Sequence, residues 1–477
     1  MSHRDHGIRN RRPLNHQALR QALDWLLAGA DFSDASFRED STWTPKGLTV
    51  TALLWAWSDE QGLKERFVTA RKIGLLAWSW KCVPATTYQA FMKMLRKWTL
   101  CLTGILMVLF RERMQTALRS RFLVAGRAVF GVDGSRLLVA RTRSNEARFA
   151  PGKSRETYRQ KKRRRARQRS AQGRHDVYGR SRDKRADRAQ IWLTTMWHVG
   201  TGLPWDWRLG PSDSSERDHF REMIDSLPLW ALVAADAGFI GYLYWRLMLD
   251  SRRDFVIRVG ANVRLLKKLG WVKCRDNMVY FWPDSAARKK QPPLVLRLVV
   301  VHNGRHPVYL VTSIVNGSEL TDQQIVEIYR QRWGIELFYR HFKQTFERRK
   351  LRSHSADNAL VEAQWSLLGL WAMNLHAEFE LAKHHVPTDR ISIAGVLRAY
   401  RRPMREYKSH PDPGEDLTSL LRRAVIDSYH RASKASREHP HPNLERPCGP
   451  PDIRRATRKQ IRAAQNLKRI LEKRLTA

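Results

Sequence analysis

Residues 319–350 read ELTDQQIVEIYRQRWGIELFYRHFKQTFERRK, and the rest of the chain is organised around this stretch. At about 100° of rotation per residue, with Tyr329 at zero, Arg332, Glu336 and Lys343 fall at roughly 300°, 340° and 320°, so four polar side chains share one stripe of a helix. Ile328, Ile335, Phe338, Tyr339, Phe342 and Phe346 fall between roughly 180° and 280°, the arc a helix buries against a core. Thr321 and Gln324 have the spacing of a capping box, which starts the helix there and carries it past Lys343. Glu336 therefore stands at the edge of a buried arc, as on a helix that lines a cleft. An amphipathic surface helix with solvated or paired charges has the same pattern, and the remaining sequence decides between the two.

Composition narrows the partner. Lys plus Arg number 87 against 46 Asp plus Glu, a net charge of +41. A chain so basic belongs beside a polyanion, and 18 Trp and 12 Tyr interleaved with the cations point to nucleic acid. Its 477 residues suffice for about three domains. The most apolar run, Trp98 to Phe110, is shorter than the about 20 residues needed to cross a bilayer, and reads as a buried helix. With no signal peptide or lipidation motif read in the sequence, the expected place is the cytoplasm, at the nucleoid, and no membrane is a partner. Cys82, Cys101, Cys274 and Cys448 have no metal-ligand or disulfide spacing, and His439 and His441 lie in a Pro-rich loop sequence.

Residues 1–127 carry helical periodicity and form the expected helical N-terminal DNA-binding region. Within it, Ile73 to Trp98 has the outline of two helices about a turn at Val83-Pro84, the second starting near Thr86 or Thr87 and presenting Lys93, Arg96 and Lys97. A helix-turn-helix has this outline, as do any two helices separated by proline. Residues 128–253 change texture. AVFGVDGSRL is a strand ending in Asp133, Ile191 to His198 and Leu203 to Leu209 are a hairpin about Gly200-Thr201-Gly202, and a helix follows, capped by Ser214 or Ser215. ALVAAD is a central buried strand that ends in Asp236.

Residues 153–188 hold sixteen Lys or Arg against four acids, the composition of a loop; its position between two strand-like runs favours a clamp on phosphates over a solvated tail or a localisation signal. Residues 254–317 are β-rich, with Asn303-Gly304 as a turn and with Trp271 and Trp282 read as core, the alternative being an exposed Trp that stacks on an unpaired base. Residues 318–384 hold the opening helix and an apolar helix from Ala359 to Glu380. Residues 385–477 are expected to be helical and basic: Leu417 to Ile426, the Pro-rich linker HPHPNLERPCGPP, and a basic amphipathic helix from Ile453 to Arg474.

Three acids stand out: Asp133 and Asp236 at strand ends, and Glu336 on a helix. Carboxylates of this kind are hard oxygen ligands for Mg²⁺, and two such ions about 3.5–4 Å apart hold the attacking and leaving oxygens of an in-line phosphoryl displacement.

Tyr329, Arg332, Glu336 and Lys343, separated by two, three and six residues, resemble the YREK signature of the insertion-sequence family numbered four, within the DDE transposases of bacteria. Asp133 in VDGS and Asp236 in ADAGF resemble its two other motifs, so the likeness covers about Ala128 to Lys350. It implies an α/β fold: an RNase H-like catalytic core, a mixed sheet flanked by helices, interrupted by a β-rich insertion after the second Asp. It further implies that Asp133, Asp236 and Glu336 ligate two Mg²⁺, with Mn²⁺ able to substitute, while Tyr329, Arg332 and Lys343 hold the phosphates of the transposon end. The implied reaction is hydrolysis at that end, followed by attack of the freed 3′-OH on target DNA. The implied partners are double-stranded terminal inverted repeats and target DNA, bound by a homodimer. The basic loop 153–188 is not part of the resemblance. An RNase H-like nuclease without strand transfer, and a catalytically retired DNA-binding protein, remain alternatives.

Overall fold

The computed structural model describes residues 13–78, 87–151, 189–273, 277–302, 307–426 and 449–476. The basic loop, the turns at Val83-Pro84 and Asn303-Gly304, His439, His441, Cys82, Cys274 and Cys448 lie outside the described residues.

A ten-stranded sheet runs through the molecule in the order β10-β6-β7-β8-β9-β5-β4-β1-β2-β3. β1 (Val129–Leu138), β2 (Gln190–His198) and β3 (Leu203–Gly210) form an antiparallel meander, while β4 (Leu232–Ala235) and β5 (Asp254–Val259) run parallel to β1. Three antiparallel strands followed by two parallel ones, in the order 3-2-1-4-5, make an RNase H-like core. β4 is buried on both faces, because its residues are Leu, Val and Ala throughout. Both its edges need strand partners, which β1 and β5 supply.

The β-rich stretch does not stand apart from this core. Its first strand is the fifth core strand, and β9 (Pro307–Thr312) pairs antiparallel with it. β8 (Leu294–His302), β7 (Met278–Phe281), β6 (Arg264–Lys267) and β10 (Asp452–Arg455) then lengthen the same sheet. The segment read as a basic helix from Ile453 thus begins as a strand and becomes helical at Arg458–Thr476. Trp282 is buried and Trp271 half-buried.

Helices Asn15–Leu27, Pro45–Trp57, Leu63–Trp78 and Tyr88–Thr116 make up the described part of the N-terminal region. Thr87 caps the last of these, its hydroxyl accepting from Ala90 N–H at 3.2 Å. The run Trp98 to Phe110 is the middle of this long helix rather than a wholly buried one, since Leu100 and Val108 face solvent. Helix Ala356–Ala382 is buried along most of its length and joins the helices to the sheet. Trp57 Nε1 donates to Gly369 O at 2.8 Å, Trp365 Nε1 to Thr99 Oγ1 at 2.9 Å, and Trp207 Nε1 to Gln364 Oε1 at 2.6 Å. Each indole therefore buries its ring without leaving its N–H unbonded.

Two buried imidazoles make this core sensitive to acid. His198 lies among Phe122, Phe130 and Trp205, and burial pushes its pKa down to about 3. His376 bonds Tyr400 Oη at 2.7 Å, and burial brings it to about 4 despite Glu380. Both folded values lie below the unfolded value of about 6.5, so the stability they contribute is present above that pH and is lost as pH falls through it, at about 1.4 kcal/mol per pH unit for each. The urea midpoint is expected to drop between pH 7 and 5, and His198→Gln to flatten the drop. A wild-type midpoint constant over that range contradicts the assignment.

Candidate active site

The acids come from three separate elements, and Asp133 is not at the end of its strand as the sequence suggests: β1 runs unbroken from Val129 to Leu138 because it stays paired with β2 beyond Asp133, while its pairing with β4 stops at Gly131. Asp133 lies in β1 opposite Thr195 of β2, between two glycines. A Cβ at Gly131 would touch the Arg332 stem at 3.6 Å, and one at Gly134 would overlap the Glu216 carboxylate and the Trp192 ring. Gly134 therefore leaves the room that Glu216 and Trp192 occupy beside the acid, whereas a side chain at Gly131 would make only ordinary contact. Asp236 follows β4 directly and caps a short turn, its Oδ1 accepting from Ala237 N–H at 2.7 Å. Glu336 sits in the first turn of helix Gly334–Arg340 and is exposed.

The stretch that carries Glu336 is not one uniform helix. The capping box at Thr321 and Gln324 is present and opens helix Asp322–Gln331. The backbone then tightens: Trp333 N–H bonds Arg330 O at 3.3 Å and Glu336 N–H bonds Trp333 O at 3.1 Å, each three residues back. It widens to a π turn at His341–Thr345, where Phe346 N–H reaches His341 O at 2.7 Å. The even angular count accordingly places the apolar arc correctly but not the polar stripe. Ile328, Ile335, Phe338, Tyr339, Phe342 and Phe346 are all buried. Among the four stripe residues, Arg332 is only 4% exposed, Tyr329 and Lys343 are half-buried, and Glu336 alone is exposed. The tight turn exists because Gly334 packs on Trp197 of β2, where a side chain would overlap the indole.

Tyr329, Arg332 and Lys343 each reach an acid-bearing segment. Tyr329 Oη lies 3.5 Å from Asp236 Oδ1, and burial pushes its pKa up to about 12, so the phenol remains a neutral donor. Lys343 Nζ donates to Ser135 Oγ at 2.5 Å, two residues beyond Asp133. The Arg332 guanidinium lies 5.3 Å from the Tyr329 ring and 5.6 Å from Trp333, acts electrostatically on Asp133, and leaves its buried Nε unbonded. Tyr339, outside the stripe, donates to the main-chain oxygen of Asp133 at 2.6 Å and so ties the helix to β1.

Burial is the main force raising the Asp133 pKa; Gly134 N–H and Arg332 oppose it, and Glu336 and Asp236 add to it. Asp133 thus feels the charge of both other acids. Glu216, which sequence reading passed over, belongs to the same group: burial first, then Asp133, raises its pKa, and Asp236 contributes. As the first residue of helix Glu216–Met223 it looked like an ordinary helix-start acid, and only folding brings it over Gly134.

Among the described residues, no three His, Cys, Asp or Glu side chains are grouped closely enough to hold a metal ion. The donor set nevertheless suits a hard divalent cation: it offers carboxylate oxygens, and a bound positive charge would oppose the burial that raises the Asp133 pKa.

Residues 126–375 match the family model described as the transposase DDE domain. Over 184 residues, 37% of this chain, the sequence is 29% identical to the transposase InsG for insertion sequence element IS4 of Escherichia coli (strain K12). The matched segment spans 41% of that relative's length. A chain in the cryo-EM structure of the piggyBac transposase synaptic complex with hairpin DNA aligns with a TM-score of 0.39 and 11% identity, over 89% of this chain and 88% of that one.

Proposed function

The chain belongs to the DDE transposase family, and from that premise we propose that it cuts transposon ends and joins them to target DNA. The observation that carries the reading is geometric: the helical stretch that holds Glu336 bonds the main-chain oxygen of Asp133 through Tyr339 and approaches Asp236 through Tyr329, so acids about a hundred residues apart along the chain share one neighbourhood. Asp133, Asp236 and Glu336 would hold divalent cations, two Mg²⁺ or in their place Mn²⁺. When bound, such ions supply Lewis-acid stabilisation to the attacking and leaving oxygens of a phosphodiester. Water breaks the P–O3′ bond at the transposon end, leaving a 3′-OH and a 5′-phosphate. The 3′-OH then attacks a target phosphodiester, one P–O bond forming as another breaks.

The chain's own side chains orient the DNA. Lys343, half-buried beside Ser135, offers a donor for a phosphate passing Asp133, and Arg332, buried against Tyr329 and Trp333, places positive charge behind it. Tyr329 steadies Asp236. Trp333, 55% exposed one turn before Glu336, presents an aromatic face on which a base leaving the stack would rest. The substrates are then double-stranded terminal inverted repeats and target DNA, held by a homodimer in the DNA complex.

Incubating the protein with Mg²⁺, a target plasmid and donor DNA carrying the gene's flanks tests the proposal. Joined products are expected; nicks alone indicate the nuclease, and binding alone the retired DNA-binding protein. Lys343→Ala is expected to weaken binding to the ends on the order of tenfold, a loss of about 1.4 kcal/mol, with a smaller effect on non-specific duplex. Equal losses in a binding titration on both DNAs would remove Lys343 from end recognition.

A further inference from the structure

The outer edge of the sheet carries cations that the acid cluster does not use. β10 runs parallel to β6, and its register sets Arg455 opposite Lys267, both exposed. Like charges directly opposite one another destabilise a strand pair. The acid within the pair, Asp452, bonds Arg264 at 3.2 Å and Arg454 at 2.9 Å on the other face of the strands, because side chains alternate along a strand. Arg455 and Lys267 enter no ion pair among the described residues.

The charge continues along the helix that follows. In Arg458–Thr476, spacings of four and seven residues put Arg458, Arg462 and Arg469 on one face, while Ala464 and Leu467 are buried on the opposite one. These guanidiniums span about 16 Å. Lys468 Nζ donates to Trp271 O at 3.3 Å, holding the helix against the β-rich part of the sheet. An exposed row of arginines continuing from two opposed cations complements a regular row of negative charges, and a nucleic-acid backbone provides one.

We propose that β6, β10 and helix Arg458–Thr476 form a second duplex-binding surface, which grips phosphates of the same DNA whose scissile bond lies at Asp133. The placement rests on the catalytic reading of that acid, whereas the surface itself does not. Six strand spacings separate β1 from β6, a path of about 29 Å along the sheet. At about 3.4 Å per base pair this sets the grip about eight base pairs from the cut.

The test uses full-length protein with Arg458, Arg462 and Arg469 all replaced by Gln, and a second variant, Lys267→Gln with Arg455→Gln. Affinity for a duplex of arbitrary sequence is measured across a salt series. Each lost phosphate contact lowers the slope of log K against log salt by about 0.9, so the triple variant is expected to lose about 2 or more from it, and Lys at the same three positions to restore it. An unchanged slope in variants with wild-type melting temperature overturns the surface. Phosphate-ethylation interference on end DNA then tests the placement: signals about eight base pairs from the cut should vanish in the triple variant. Their loss at the cut itself overturns the placement. If the triple variant loses slope while the wild-type protein cleaves nothing, the surface stands and the catalytic reading is removed.

Discussion

Glu336→Ala leaves DNA binding intact or tighter and lowers cleavage on the order of a thousandfold, about 4 kcal/mol of transition-state stabilisation. The separation of the two effects follows from position. Glu336 is exposed in the first turn of its helix, so its removal opens no cavity. The same change takes a negative charge from the path of a polyanion, which favours binding. Cleavage is expected to fall because Glu336 lies on the helical stretch that bonds Asp133 through Tyr339 and approaches Asp236 through Tyr329. Gel-shift titrations and a gel-based cleavage assay read the two effects separately. Cutting at the wild-type rate in the variant would remove Glu336 from the chemistry, and equal losses of binding and cutting would make it a DNA contact instead.

Gly334→Ala is expected to impair stability and activity together, by a different route. The added Cβ would overlap the six-membered ring of Trp197, which is buried beneath the helix. Overpacking of this kind costs about 1–3 kcal/mol. Relief by movement of the helix would carry Glu336, two residues on, away from Asp133. A shift of about 1 Å in a catalytic group costs on the order of a hundredfold in rate. Trp197→Phe removes the ring atoms that the methyl would strike, so the double variant should recover part of both the melting temperature and the cleavage rate. Additive losses in the double-mutant cycle would show that the two positions do not meet.

The sequence showed the apolar arc of the helix and its capping box, and the buried strand before Asp236 was legible as an unbroken run of small and aliphatic residues. It did not show the tight turn at Arg332 and Trp333, because an even angular count has no means of registering that Gly334 lies against Trp197. For the same reason the count places Arg332 on the stripe at the edge of the buried arc, although its stem lies against Gly131 and the side chain is buried. Glu216 was hidden by distance, since nothing local distinguishes it from any acid that begins a helix. The continuation of the sheet from β5 to β10 was hidden by pairing: individual strands are visible in sequence, but the edges they share depend on the whole fold.

The account rests on Asp133, Asp236 and Glu336 forming one divalent-cation site. Loading the protein with Fe²⁺ and generating hydroxyl radicals cuts the backbone where the ion is bound, and the fragments can be mapped by mass spectrometry. Cuts are expected near all three acids, suppressed by excess Mg²⁺ and lost in Glu336→Ala. Fragments arising elsewhere, or a pattern at Asp133 and Asp236 that Glu336→Ala leaves unchanged, would contradict a shared site.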